Sequence, residues 1–341
     1  MSTELLKVDA EHPDPGAIAR AATAVRRGEL VAFPTETVYG LGADALNAAA
    51  VTRIYEAKGR PERNPLIVHV PDAAAAQELA EWTPLADALA TRFWPGPLTL
   101  VLPKRDLVPD VVTAGGSTVA LRAPAHPVAQ ALLRAAGTPI AAPSANRSSG
   151  ISATRAEHVL CALDGRIELI LDGGPTPGGI ESTVLSLVET QPRLLRPGLL
   201  SAEDIEVIVG PLARANTSGE STAALPSPGM LSRHYAPKAT LELAPDDGYA
   251  RTMELVRSRH RVGWLRFAPT EGTSKPFAID RLRAFVMPRD AAGYAALLYD
   301  TLHALDAWGA DHIVVEPPPN DDAWLAIRDR LTRAATLKTE H

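Results

Sequence analysis

The sequence predicts an α/β fold in two parts: a large domain on a curved, open mixed sheet with flanking helices, then a small parallel-sheet α/β domain. Three observations carry this. Strand and helix signals alternate from residue 17 to about residue 210, with many strands and few long helices, which suits a mixed sheet better than a regular doubly wound one. Residues 213 to 238, "RANTSGESTAALPSPGMLSRHYAPKA", lack periodicity and are rich in Ser, Thr, Ala, Gly and Pro, the composition of a linker. Beyond it, short apolar runs alternate with longer helical patterns. The expected domains are therefore residues 1–212, a linker over 213–238 and residues 239–341, in keeping with a chain of 341 residues.

In order along the chain, "GELVAFPT" reads as a strand. "NAAAVTRIYEAKG" reads as a helix, with Asn47 as N-cap, Gly59 at the left-handed stop and Pro61 beyond it. "NPLIVHV" is the next strand; Asp72 caps "AAAAQELAEW"; Thr83-Pro84 opens "PLADALATRF", which "WPGP" breaks before the strand "LTLVLP". "STVALRAP", the helix "PVAQALLRAAG" and "TPIAAPS" follow, then a helix opened by a Thr154/Glu157 capping box. "ELILDGG", "STVLSLV" and "RLLRPG" are strands, and Ser201 with Asp204 caps a last short helix. After the linker, "RVGWLRFA", "RLRAFVMP" and "DHIVVEPPP" are strands separated by the helical "YAALLYDTLHALDAWG" and followed by "DDAWLAIRDRLTRAA". This second part lacks GxGxxG, so the sequence gives no reason to place a dinucleotide there.

Composition excludes several classes. The formal net charge of −6, from 34 Lys+Arg against 40 Asp+Glu, leaves no basic excess for non-specific nucleic-acid binding, so any cationic site is local. A single cysteine, Cys161, allows neither an internal disulfide nor a cysteine zinc cage, and reads as a small helix residue rather than a nucleophile. No apolar stretch approaches the roughly 18 residues of a membrane span, and "MSTELLKVDAEHPDP" is too charged for a signal peptide, so a cytoplasmic protein is expected. Walker-type, kinase-type and HExxH signatures are absent.

The chemistry concentrates in a few loops. "KGRPERNPL" places Lys58, Arg60 and Arg63 on a segment that two prolines stiffen, so its cations are held at little entropic cost. Lys58 suits either the helix C-terminal dipole or a ligand, and Asn64 either caps the turn or presents its amide to a ligand. "AAPSANRSSGIS" gathers Ser144, Asn146, Ser148, Ser149 and Ser152 after a buried strand, which is turn chemistry or a set of uncharged donors for an oxygen-rich ligand. Ser182 and Thr183 repeat that arrangement. Arg122 and Arg196 each end a strand before Pro-containing loops; strand-end arginines are often solvated, but two beside these loops suit anionic ligands. His69 lies opposite Leu66, Val68 and Val70 on its strand, a structural histidine or a ligand contact, and His234-Tyr235 closes the linker as anchor or cover.

Together "FPTETVYGLGADA", "KGRPERNPLIVHV", "WPGPLTLVL", "VALRAPAHP", "PIAAPSAN", "GGIESTV", "LLRPG" and "RHYAP" resemble the L-threonylcarbamoyl-AMP synthase family, of YrdC-like fold, over about residues 17 to 238. The remainder is similar in arrangement to the Rossmann-like C-terminal domain of that family's long form. The resemblance implies a nucleotidyltransferase that joins L-threonine, bicarbonate and ATP into threonylcarbamoyl-AMP and pyrophosphate. The product serves the N6-threonylcarbamoyl modification of adenosine 37 in tRNA through a tRNA threonylcarbamoyl transferase complex. It implies Lys58 and Arg60 as the phosphate-binding pair, and Asn64, Thr118, Ser144, Asn146, Ser152, Arg196 and Tyr235 on ATP. Thr35, His69, Arg122 and Ser182 would surround threonine, with Mg²⁺ carried on ATP rather than held in a site of its own. Residues 213–238 would close over the nucleotide. Arg63 is either an extra phosphate contact or paired with Glu62, Arg147 has no role in this scheme, direct tRNA binding is left open, and the competing readings are a double-stranded RNA-binding module and a carbamoyl-transfer enzyme.

Overall fold

The structure, a computed structural model, describes residues 2–214, 234–268 and 280–335. The chain folds as two units, one of residues 2–148 with 152–214, the other of residues 149–151 with 234–335. The linker's residues 215–233 lie outside the described residues, and with them the greater part of the expected lid.

The first unit is built on a sheet of eleven strands: β1 (Glu4–Lys7), β2 (Val31–Phe33), β3 (Gly40–Asp44), β4 (Ile67–His69), β5 (Leu98–Pro103), β6 (Thr118–Arg122), β7 (Ile140–Ala141), β8 (Leu169–Asp172), β9 (Thr183–Ser186), β10 (Arg193–Arg196) and β11 (Ala213–Arg214). Their spatial order is β1-β8-β2-β3-β7-β4-β6-β5-β9-β10-β11, with parallel and antiparallel pairs interleaved, which is the mixed sheet that the sequence predicts.

Alternation along the strands divides the burial. Val68, Leu100, Leu121 and Leu185 face one side, where helix residues such as Ile54, Leu89, Val159 and Ile205 complete the main core. On the other side Val31, Phe33, Ile140 and Leu169 pack under the helices Pro15–Arg26 and Pro127–Ala136. Farther along that side, Ile67, Val101, Ala120, Val184 and Leu195 form a small apolar patch of strand residues alone, with no helix residue in the cluster. That helix-free half of a buried face is what the site is built upon.

Local chemistry explains the elements that lead to it. Asn47 Oδ1 accepts from Ala50 N at 3.2 Å to start the helix Ala48–Lys58, and Gly59, at φ 61°, ends it. Two sequence expectations change. The helix after Asp72 stops at Gln77, because Ala80 bridges Lys104 and Glu81 N donates to Pro103 O. The helix Ala156–Leu163 is capped by Arg155 rather than by Thr154, whose hydroxyl lies 3.4 Å from His158 Nδ1 and whose carbonyl accepts from Thr176 N. Cys161 sits exposed on that helix.

The second unit is a parallel sheet of four strands, β12 (Thr240–Leu243), β13 (Val262–Phe267), β14 (Leu282–Met287) and β15 (His312–Val315), in the order β12-β15-β13-β14. The helices Tyr249–Arg257, Ala291–Trp308 and Leu325–Ala334 accompany it, so the α/β arrangement expected of the C-terminal part is present, with β12 added to the three strands read from the sequence.

Gly198 gives this fold a sharp test. A Cβ there would stand 2.3 Å from the Ser182 carbonyl carbon and 2.3 Å from Thr183 N, both backbone atoms that cannot move aside. Gly198→Ala is expected to lower stability by about 3 kcal/mol. At Gly137, where a Cβ meets nothing and only the positive φ of 66° is strained, alanine should cost about 1 kcal/mol. Urea unfolding of both variants checks the order; equal losses would contradict the close packing of Gly198.

Candidate active site

The apolar patch carries a polar rim because the same alternation that aims Ile67, Ala120, Val101 and Val184 at it also aims His69, Arg122, Thr99 and Ser182 to that side. β4 and β6 run parallel in a register that pairs His69 with Arg122, and β5 pairs Leu98 with Thr183. The ends of β4 and β6 thereby deliver an imidazole and a guanidinium, and the starts of β5 and β9 hydroxyls, to one place.

Arg122 is the charge at that place. Its side chain is 4% exposed, Nε donates to Gly96 O at 3.3 Å, Nη1 donates to Thr37 Oγ1 at 3.0 Å, and Nη2 lies 2.7 Å from Glu36 Oε1. The last contact is Coulombic, off the line of a hydrogen bond, so Nη2 keeps its donors unspent. His69 is buried, its ring stands edge-on to Phe33 at 6.2 Å, and its Nδ1 has no hydrogen-bond partner. Burial, then the Arg122 charge, push its pKa from the ordinary 6.5 to about 3, so it is neutral through the physiological range. Ser182 Oγ lies 2.8 Å from Thr99 Oγ1, while Arg196 donates through Nε and Nη2 to Ser182 O and through Nη2 to Ser182 Oγ. Thr35, expected at a ligand, is the hub of its own turn: its hydroxyl donates to Val38 O at 2.7 Å and accepts from Thr37 N and Val38 N. Its neighbour Thr37 makes the contact with Arg122.

The cationic loop occupies the other end of β4. Lys58 is buried, and its Nζ donates to Ser144 O at 2.6 Å, to Asn146 O and to Asn146 Oδ1 at 3.4 Å. Burial, then Arg60 and Arg147, hold its pKa well below the usual lysine value, and three oxygens matched to the three hydrogens of an ammonium oppose that push. Arg60 donates from Nε to Asn64 O and from Nη2 to Pro65 O, so both cations also brace the backbone around them. Asn64 is fully buried with neither its Nδ2 nor its Oδ1 hydrogen-bonded. Ser144 Oγ donates to Asn146 Oδ1 at 2.6 Å, and Ser152 Oγ donates to Glu181 Oε1 at 2.5 Å. Thr118 starts β6, four residues before Arg122 and about 13 Å from it at strand rise. Arg63 is exposed, with no ion pair to Glu62 among the described residues, and Arg147 packs its guanidinium beside Gly59.

Tyr235 belongs to the second unit. It is buried at φ 62°, stacked on Tyr299 at 5.8 Å, with the Arg330 guanidinium 5.0 Å from its ring. Sequence reasoning missed Glu36, Thr37, Thr99 and Glu181. The signal for the first two was within the quoted "FPTETVYG", where a charge flanked by two threonines follows a buried strand.

His69 supplies a test of this electrostatic picture. The folded chain keeps it neutral, whereas in the unfolded chain it protonates below about 6.5, so stability is lost as pH falls from about 6.5 toward 3 and this contribution is constant above that window. The stability gap between the wild type and His69→Gln, from urea unfolding, should therefore be flat above pH 7 and shift against the wild type by about 1 kcal/mol per pH unit below 6. A gap unchanged from pH 8 to 5 would contradict a neutral, buried His69.

Comparison with known proteins agrees with this architecture. Residues 23–198 match the family model described as telomere recombination, shared by Sua5, YciO and YrdC proteins, and residues 200–336 match the threonylcarbamoyl-AMP synthase C-terminal domain. The threonylcarbamoyl-AMP synthase of Bacillus subtilis (strain 168) is 47% identical over 93% of this chain and 92% of its own. That of Pyrococcus abyssi (strain GE5 / Orsay) is 44% identical over 92% of this chain and 93% of its own. The crystal structure of P. abyssi Sua5 complexed with L-threonine superposes with a TM-score of 0.88 at 42% identity, covering 98% of each chain. Motifs, sheet order and relatives thus converge, and the chain belongs to the threonylcarbamoyl-AMP synthase family, enzymes that transfer an adenylyl group.

Proposed function

We propose that this chain binds L-threonine at the strand ends around Arg122 and ATP along the cationic loop, and joins them through bicarbonate into threonylcarbamoyl-AMP and pyrophosphate. The observation that carries the reading is a set of buried hydrogen-bonding atoms left unspent at both ends of β4: Arg122 Nη2 and His69 Nδ1 at one, Nδ2 and Oδ1 of Asn64 at the other. Buried polar atoms are nearly always satisfied, and each exception costs about 1–3 kcal/mol. Asn64 and His69 are five residues apart, about 16 Å of extended chain, so one ligand that engages both is elongated and polar at each end, as an aminoacyl-type adenylate is.

In this reading Arg122 holds the threonine carboxylate, with His69, Ser182 and Thr35 around the amino acid, Thr35 acting by shaping the turn that carries Thr37. The amine takes up bicarbonate, releasing water, and a carbamate oxygen then attacks the α-phosphorus of ATP while the bond to the β-phosphate oxygen breaks. Negative charge accumulates on the phosphates, and Lys58, Arg60 and Arg196 are the fixed cations that offset it. Ser144, Asn146, Ser152, Asn64 and Thr118 are assigned to the nucleotide's oxygens, and Tyr235 to its phosphates or base. Mg²⁺ enters as part of the nucleotide: the donors here are hydroxyls, amides and cations, Glu36 is held by Arg122, and Glu181 is held by Ser152. The product is handed to the transferase complex that modifies adenosine 37 of tRNA. Neither an RNA-binding module nor a carbamoyl-phosphate enzyme finds support among the relatives.

Pyrophosphate release from ATP is expected only when threonine and bicarbonate are both present. Release without threonine, or with carbamoyl phosphate replacing bicarbonate, would overturn the reading. Lys58→Ala and Arg60→Ala should each lower turnover by about 10² or more. Lys58→Ala should lower the melting temperature as well, because its Nζ also holds the Ser144–Asn146 loop. Near-normal turnover in either would remove the loop from the chemistry. Valine should be rejected far more strongly than serine, since it leaves the hydroxyl's partners unpaired; comparable kcat/KM for valine and threonine would contradict a polar pocket.

A further inference from the structure

We infer that Glu36 is the counter-ion of the substrate's α-ammonium group, so that Glu36 and Arg122 together select a zwitterion; the inference rests on the proposed threonine site. The Glu36 side chain is 15% exposed, and both its carboxylate oxygens are shielded from solvent. Its backbone is fixed on two sides. Thr35 and Thr37 form the turn that holds it, and Gly178 N donates to Glu36 O at 2.9 Å, an approach that a side chain at 178 would block, since its Cβ would lie 2.7 Å from that oxygen.

Neither carboxylate oxygen accepts a hydrogen bond, although Oε1 is 2.7 Å from Arg122 Nη2. An ionised carboxylate has about four acceptor positions, and a buried ion pair recovers its desolvation penalty only when further hydrogen bonds complete it. Here those bonds are missing on both partners: Glu36 lacks donors, and Nη2 of Arg122 lacks an acceptor in line. His126 also interacts with Glu36, and burial lowers its pKa from 6.5, which disfavours the charged ring as a rival counter-ion.

An α-amino acid supplies what is lacking. Its ammonium offers three donors to a carboxylate and its carboxylate accepts from a guanidinium, and the two groups stand on one carbon, close together as the two side chains are. A substrate with only a carboxylate satisfies Arg122 and leaves Glu36 buried beside a second anion. The ammonium partner thus confers selection that Arg122 alone does not, worth at least tenfold for a charge-assisted hydrogen bond to a buried group.

The test is calorimetric titration of the full chain with L-threonine and with 3-hydroxybutyrate, which is threonine without its amino group. The wild type is expected to prefer threonine by at least 10²-fold. Glu36→Gln should weaken threonine by at least tenfold, leave 3-hydroxybutyrate unchanged or improved, and leave ATP binding alone. Glu36→Asp, which keeps the charge, should retain most of the preference. A preference below tenfold in the wild type, an unchanged ratio in folded Glu36→Gln, or tighter threonine binding in that variant overturns the inference, the last by making Glu36 a place-holder on Arg122. Loss of preference in Glu36→Asp equal to that in Glu36→Gln also counts against it. If the wild type binds threonine not at all, the failure is that of the proposed function, and it is read separately from these outcomes.

Discussion

Arg122 carries a full positive charge to a position where its side chain is 4% exposed, and the surrounding residues are arranged around the problem that this creates. A guanidinium taken out of water loses several kcal/mol of solvation unless anions and acceptors replace it. Gly96 contributes a carbonyl from one loop, and Thr37 a hydroxyl and Glu36 a charge from another, so the two loops that cover the sheet face are positioned by what Arg122 requires. The arrangement stops short of completion at Nη2, and that shortfall is where the proposed site would meet its substrate.

The cationic loop solves a related problem differently. Lys58 and Arg60 direct their donors to carbonyls of the Ser144–Asn146 and Asn64–Pro65 segments, so the positive charges stabilise the loops from which a phosphate would be bound. Charge is present before any anion arrives and is already oriented, the condition under which fixed dipoles and cations stabilise a transition state most. Two proline-restricted segments and the left-handed Gly59 make that orientation a property of the backbone.

Much of this was legible in the sequence because it depends on periodicity and punctuation. Asn47 and Gly59 bracket the Lys58 helix by local rules, and the alternation in "PLIVHV" set His69 on the face opposite Leu66, Val68 and Val70. What escaped depends on tertiary approach. Gly42 sits in β3, a strand that the sequence reading does not name; a Cβ there would be 2.7 Å from Ile140 Cγ2 and 2.8 Å from Phe33, a tertiary approach that only glycine allows. Thr154 looked like a cap, but its hydroxyl and carbonyl serve His158 and Thr176. Glu36 carried only the local signal of a charge between two threonines, which names no partner. Only the pairing of β4 with β6, which brings Arg122 beneath the turn of residues 35–37, gives it a partner.

The central claim is that the unspent donors at the strand ends are spent on threonine. A crystal structure with L-threonine and a non-hydrolysable ATP analogue tests it most directly. The account predicts the threonine carboxylate within about 3 Å of Arg122 Nη2 with His69 Nδ1 also engaged by the ligand. Threonine bound elsewhere, with Arg122 Nη2 still facing only Glu36, would contradict it.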